Sequence, residues 1–473
     1  MMLKLAPRIG EYAADFLGDA ELVGGLVSGF GSPLNIVFPA QAGRNLAAFR
    51  GIYAKRGISG KVFYAHKVNR SASLAREAAA RGACMDVASR AELESALAAG
   101  FPGERIEATG PKNEGFILLG LQHGIIFNVD NMGELSDIIS LRRKHCVGMA
   151  ETRVLLRASD FPGIARKSRF GTSFSMFGEI IGAAKSAAGH IDIIGVSFHL
   201  DSVELREKVA AISGALRLFE PLRAAGFAPR VLDIGGGFKV SYARSKSEWQ
   251  DAVSRIKESI ISGGRLTWNG YKYGMSAADG AIRGSPNVYS YYNDLAGAEY
   301  LDAILSAELE EFEGRTVADF LCDNMIELYI EPGRAFLDQA GISLARVNFV
   351  RRLESGGHLV GLDAKSGDLV EQDGFVDPIV IGDGGGAAVD DEGCYIAGSL
   401  CAEADMISRR RFFLGRVPRK GDILAFVNTA GYFMDFYATA AAMKYPAPKT
   451  AAYKSGGKWR WATDGNYLPR GDG

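Results

Sequence analysis

Lys67 closes an apolar run, Lys61-Val62-Phe63-Tyr64-Ala65, and a cation in that place needs a chemical reason. The run reads as a buried strand of a parallel sheet. A lysine leaving the carboxyl end of such a strand points into the crevice where these folds bind ligands. A partly desolvated amine there holds its proton less tightly and can attack a carbonyl, so covalent capture of an aldehyde is chemistry open to it. A single strand-end lysine is more often a snorkelling surface residue or a phosphate contact, so the reading rests on what accompanies it.

Four further stretches fall at the ends of apolar runs: Ser197-Phe198-His199-Leu200-Asp201-Ser202, Asp233-Ile234-Gly235-Gly236-Gly237-Phe238, Glu331-Pro332-Gly333-Arg334 and Cys401-Ala402-Glu403-Ala404-Asp405. With Lys67 and the late Ala430-Gly431-Tyr432, this ordered set resembles the fold-type III pyridoxal-phosphate decarboxylases, the diaminopimelate, ornithine and arginine decarboxylase family. The resemblance covers roughly residues 30 to 445. It implies pyridoxal 5'-phosphate as cofactor, carried on Lys67, and no metal. Glu331 matches the carboxylate that binds the pyridine nitrogen and keeps it protonated; related alanine racemases place an arginine there. His199 matches the imidazole that stacks on the ring, and Ser202 a hydroxyl on the phosphate. Gly235, Gly236 and Gly237 let the backbone approach that phosphate and aim amide hydrogens at it. Gly333 and Arg334 match contacts to phosphate or substrate carboxylate, and Tyr432 a phosphate-binding tyrosine. Asp86 and Arg157 match polar groups near the lysine and the ring oxygen. Cys401 matches the residue presented across a homodimer interface, where it protonates the α-carbon after carbon dioxide leaves. The catalytic set is thus Lys67, His199 and Cys401, with Arg334, Asp383 and Glu403 as substrate contacts.

Three departures from the family pattern bear on substrate. Ala402 stands where an acidic residue normally binds the substrate's distal ammonium, with Glu403 one position later. Residues 379–395 contain no arginine, although diaminopimelate decarboxylases carry an Arg-x-x-x-Tyr element before the cysteine. Asp201 replaces a usual glycine. The implied activity is decarboxylation of an amino acid other than diaminopimelate or free ornithine, a larger or conjugated one as in the siderophore-pathway relatives. The alternatives are a racemase of the same fold and a non-catalytic pyridoxal-phosphate-binding protein. The tyrosines at 271, 273, 289, 291 and 292 are expected to meet the distal part of the substrate.

The elements that must position these residues are legible as periodicity. Apolar runs at 61–68, 85–89, 106–110, 125–130, 153–158, 193–200, 230–237 and 326–333 alternate with helical stretches, which predicts an α/β fold with a (β/α)8 barrel of the alanine-racemase type. Residues 71–81 read as the first barrel helix, stopped by Gly82. Runs at 341–350, 358–362, 379–382 and 423–427 between glycine-rich turns predict an antiparallel β domain. The family resemblance adds that residues 32–38 join it. The expected division is 1–45 with the β domain, 46–335 as the barrel with an insert at about 240–320, and 336–473 as the β domain and tail. Within the insert, 247–261 and 297–312 have helical patterning, and the polar segment from 446 onward reads as a loosely ordered tail.

Composition excludes several other classes. With 54 basic and 55 acidic residues in 473, the net charge of −1 creates no field for nucleic acid or an anionic membrane. The Arg409-Arg410-Arg411 cluster reads as a solvated face. Five scattered cysteines without metal-type pairing favour a reducing compartment, and no apolar run approaches the roughly 18 residues of a membrane span. A cytoplasmic enzyme acting on a small-molecule amino-acid substrate is the expectation.

Overall fold

The computed structural model describes residues 3–470 apart from 147, 202–203, 370–375, 384–388 and 391. They form two units: residues 42–239 with 295–336, and residues 3–41 with 240–294 and 337–470.

Strand β1 (Leu34–Val37) belongs to the second unit. The first unit carries β2 (Gly60–Ala65), β3 (Cys84–Val87), β4 (Ile106–Ala108), β5 (Ile126–Val129), β6 (Thr152–Ser159), β7 (Ile191–Ser197), β8 (Val231–Asp233) and β9 (Glu327–Ile330). Each pairs in parallel with the next, and β9 pairs with β2, closing an eight-stranded barrel in chain order. Each of the eight apolar runs supplies one strand. The helices that follow are started by side-chain caps: Ser71 accepts from the Leu74 amide, Ser89 from Glu92, Asn113 from Phe116 and Asn131 from Glu134.

Side chains on a strand alternate faces, so inward positions recur every two residues. Phe63, Cys84, Ile126, Leu155, Ile194, Val231 and Tyr329 form an apolar layer inside the barrel. Two residues on toward the carboxyl ends of five of these strands stand Asp86, Asn128, Arg157, Asp233 and Glu331. The same pleat that builds the core therefore places a polar ring above it.

In the second unit, β10 (Gly341–Arg352), β11 (His358–Leu362), β12 (Ile379–Ile381), β13 (Cys394–Ala397), β14 (Met406–Phe412), β15 (Ile423–Val427), β16 (Lys449–Ser455) and β17 (Lys458–Thr463) join β1 in one sheet. Strand β1 pairs with β10 and β16. The sheet is mixed rather than antiparallel throughout, because β1 with β16 and β11 with β13 run parallel.

Further expectations change. The segment after residue 446 is not loose: β16 and β17 form a hairpin around Gly456 and Gly457, both at positive φ, a two-residue turn that glycine pairs favour. Trp459 on β17 then packs its ring on Phe16 and Phe38, with centroids 5.2 and 5.8 Å away. The arginine cluster is not a solvated face. Arg410 is fully buried on β14, paired with Asp377, and the Arg411 guanidinium donates to Gly356 O at 2.7 Å.

The insert divides, because residues 240–294 cluster with the sheet and only 295 onward returns to the barrel unit. Its helices span Lys246–Ser262 and Gly297–Ser306. The second is shorter than its pattern suggested, since a small hairpin, Glu308–Leu309 with Arg315–Thr316, takes over. Tyr273 and Tyr291 are fully buried, and Trp268 stacks edge-on against Tyr395 of β13 at 5.1 Å. Those two tyrosines serve as core of the sheet unit and are not available to a substrate. Among the described residues no helix is long and apolar enough to cross a membrane.

Candidate active site

The carboxyl ends of the barrel strands bring together most of the residues singled out from the sequence. Lys67 lies in the single turn His66–Val68 that follows β2, and its Nζ is 3.2 Å from Asp86 Oδ2 on β3. The other Asp86 oxygen accepts from the Thr109 hydroxyl, so the carboxylate is fixed from both sides. Arg157, on β6, faces Asp130 at 3.8 Å and lies over the Phe170 ring at 4.8 Å. His199 leaves β7, Glu331 directly follows β9, and Gly333 with Arg334 opens the short helix Gly333–Phe336. Ser202 lies outside the described residues.

The loop after β8 is a cradle that only glycine can line. Gly235 and Gly237 have φ of 63° and 82°. A Cβ on Gly235 would lie 2.6 Å from Phe198 O, one on Gly236 2.8 Å from Glu331 O, and one on Gly237 2.7 Å from Leu200 O. The Gly236 amide donates to His199 Nδ1 at 3.1 Å, which leaves the imidazole proton on Nε2. The His199 ring is open to the cleft, yet the protein around it and then the cations Lys208, Lys67 and Arg157 lower its pKa well below the usual value, so it is neutral.

Residues that motif reasoning missed complete the polar ring. Ser197 Oγ donates to Asn128 Oδ1 at 2.6 Å, Asn128 Nδ2 donates to Glu107 Oε1 at 2.8 Å, and Asp233 Oδ1 accepts the Gly235 amide at 2.7 Å. One oxygen each of Glu107, Asp233 and Glu331 lies within 4.8 Å of the others, all buried. The strand alternation from the apolar layer was the signal for Asn128 and Asp233; Glu107 had none beyond an acid inside a short apolar run.

The sheet unit carries the other candidates. Cys401 and Glu403 are exposed in the turn between β13 and β14. Asp405 holds that turn, accepting the Leu400 and Ser366 amides at 2.7 Å each. Asp383, beyond β12, is exposed. Tyr432 follows β15 with φ of 76°, a left-handed conformation that a bulky residue adopts only when its surroundings impose it.

Residues 44–264 match the family described as "Pyridoxal-dependent decarboxylase, pyridoxal binding domain". An uncharacterized protein of Sinorhizobium fredii is 30% identical over 411 residues, covering 86% of this chain and 84% of that protein. The diaminopimelate decarboxylase of Bacillus methanolicus is 24% identical over 403 residues, 81% of this chain and 79% of the relative. The chain belongs to the pyridoxal-phosphate-dependent decarboxylase family. Its fold is also that of the M. jannaschii diaminopimelate decarboxylase solved with L-lysine, at TM-score 0.68 and 20% identity over 98% of this chain and 95% of the other.

The residues present fit this family's cofactor, pyridoxal phosphate. An amine, a buried carboxylate and a neutral imidazole converge beside a loop shaped to admit a ligand where any Cβ would intrude. Electrostatically the barrel mouth is strained toward protonation. Burial, then Asp233, Glu331 and Asp86, pushes the Glu107 carboxyl well above the ordinary range, and burial lifts Asp233 to about 6. Glu331 is raised by burial and by Asp86 and Asp233, against Lys67 and Arg157. Buried like charges this close do not all ionise, so Glu107 keeps a proton beside Asp233 and Glu331.

An acid with a raised folded pKa binds its proton more tightly folded than unfolded. Its destabilising effect is absent below the unfolded pKa and grows as pH rises toward the folded one. Glu107→Gln keeps an acceptor for Asn128 but has no proton to lose. The cofactor-free variant should therefore be stabilised relative to wild type more at pH 8 than at pH 5, by on the order of 1 kcal/mol or more. Denaturant unfolding at the two pH values measures this; an identical difference at both contradicts the proton held by Glu107.

Proposed function

We propose that this chain is a pyridoxal-phosphate-dependent decarboxylase of a large or side-chain-conjugated amino acid. The observation that carries the decarboxylase reading is a buried acid, Glu331, at the mouth of a barrel that also presents Lys67 and the Gly235–Gly237 cradle. Bound pyridoxal phosphate supplies an electron sink for the pair left behind by a departing carboxylate. Glu331 faces the pyridine nitrogen and keeps its proton in place, a function that an arginine in a racemase would not perform.

The remaining roles follow from position. Lys67 Nζ, steadied by Asp86, would hold the cofactor through its aldehyde. The uncharged His199 ring stacks on the cofactor, with its orientation set by the Gly236 amide. Gly235–Gly237 and Gly333 would take the phosphate, and Arg157 the ring oxygen. Arg334 would orient the substrate carboxylate. Cys401 Sγ, contributed by a second copy of the chain, delivers a proton to the α-carbon.

Mixing inactive Lys67→Ala and Cys401→Ala proteins tests the shared site. Hybrid dimers hold one intact site, so activity should return to about a quarter of the wild-type level for a statistical mixture of dimers. Exchange of subunits without activity would contradict it.

Substrate choice rests on Ala402. A substrate ammonium left unpaired in a buried site costs on the order of 1–3 kcal/mol, about a ten- to hundredfold loss. Ornithine, lysine and diaminopimelate should thus be turned over at least about tenfold less efficiently than amino acids whose distal amine is acylated or otherwise conjugated. Carbon dioxide loss, followed by mass spectrometry on free and conjugated pools, decides this. Efficient turnover of free diaminopimelate would contradict the substrate class, and no decarboxylation of any amino acid would contradict the reaction.

A further inference from the structure

The helix Leu205–Arg217 buries a lysine that no family motif accounts for. Lys208 has 1% of its surface exposed. Its Nζ donates to Ile234 O at 2.5 Å and Gly236 O at 2.9 Å, and lies 5.1 Å from the Phe198 ring centroid. Lysines are almost never buried this fully without partners. Here, among the described residues, the partners are two carbonyls and not a carboxylate. Burial lowers its pKa to about 8, opposed by Asp233, Glu331 and Asp201, so the ammonium is charged at neutral pH.

Those two carbonyls belong to the glycine loop. Because a trans peptide is planar with its carbonyl and amide pointing opposite ways, holding Gly236 O fixes the Gly237 N–H away from the lysine. The other two amides are already engaged: Gly235 N–H by Asp233 Oδ1, and Gly236 N–H by His199 Nδ1. Among the described residues the clamp therefore leaves the Gly237 amide as the loop donor not already engaged. It also sets a full positive charge behind the same peptide, where low dielectric strengthens its reach.

We propose that Lys208 is the positioning residue of the anion cradle: it locks the Gly235–Gly237 loop from behind through Ile234 O and Gly236 O, and its charge makes the loop select a phosphorylated ligand over an unphosphorylated one. This rests on the reading that the loop takes the cofactor's phosphate.

The test uses the full chain stripped of cofactor, with 4-deoxypyridoxine 5'-phosphate as probe, which lacks the aldehyde and so bypasses Lys67. 4-Deoxypyridoxine is its partner without phosphate, and calorimetry gives Kd for each. Wild type is expected to prefer the phosphorylated probe. Lys208→Met should lose about tenfold or more of that preference, with 4-deoxypyridoxine binding little changed. Lys208→Gln, which keeps amide donors for the carbonyls but no charge, should fall between. Circular dichroism confirms that each variant is folded, and the Gln variant serves if the Met variant is not. Undiminished preference in the folded variants, or an equal loss for both probes, overturns the role of Lys208. A wild-type protein that binds both probes alike overturns the phosphate reading of the loop itself, a result distinguishable from the others because it appears before any substitution.

Discussion

The constraint on which the rest depends is the two-residue period of strands in a closed parallel barrel. Once Cys84, Ile126, Leu155, Val231 and Tyr329 are committed to the interior, their neighbours two residues on also face inward. Those positions hold acids, an amide and an arginine, so the barrel carries a polar ring that must satisfy itself or bind something. Burying Asp86, Glu107, Asp233 and Glu331 together is costly. The structure offsets that with Lys67, Arg157 and Lys208, with the amides of the glycine loop, and with a proton held by Glu107.

From this ring the chemistry follows by subtraction. Asp86 is held by Thr109 and Lys67, and Asp233 by the Gly235 amide, while Glu331 has its backbone tied to Gly235 O at 3.0 Å. In the proposed function its carboxyl is the acid that would meet a bound heterocycle. Lys208 acts one layer behind, on the backbone that would meet the phosphate, and the His199 ring is oriented by the Gly236 amide of the same loop. Lysine, imidazole, acid and glycine loop are therefore one mechanically linked set.

The strands of the barrel were legible because each buried run is apolar and alternates with helical stretches along the chain. Lys67, His199, Gly235–Gly237 and Glu331 were legible because each ends such a run. Glu107 and Lys208 were not, since an acid in a three-residue strand and a lysine on a helix look like surface residues until the fold supplies their partners. Arg410 misled for the same reason: its partner Asp377 lies 33 residues earlier, and sequence proximity to Arg409 and Arg411 suggested solvent. The final hairpin was hidden by polar composition, although the Gly456-Gly457 pair between β-prone segments marked the turn.

The central claim is that the barrel mouth captures pyridoxal phosphate through Lys67. Its most direct test is to load the protein with the cofactor, reduce with borohydride, digest and map the pyridoxyl-bearing peptide by mass spectrometry. The account predicts a single tag on Lys67, absent in Lys67→Ala. A tag on Lys208 or any other lysine in the wild-type protein, or none at all, would contradict it.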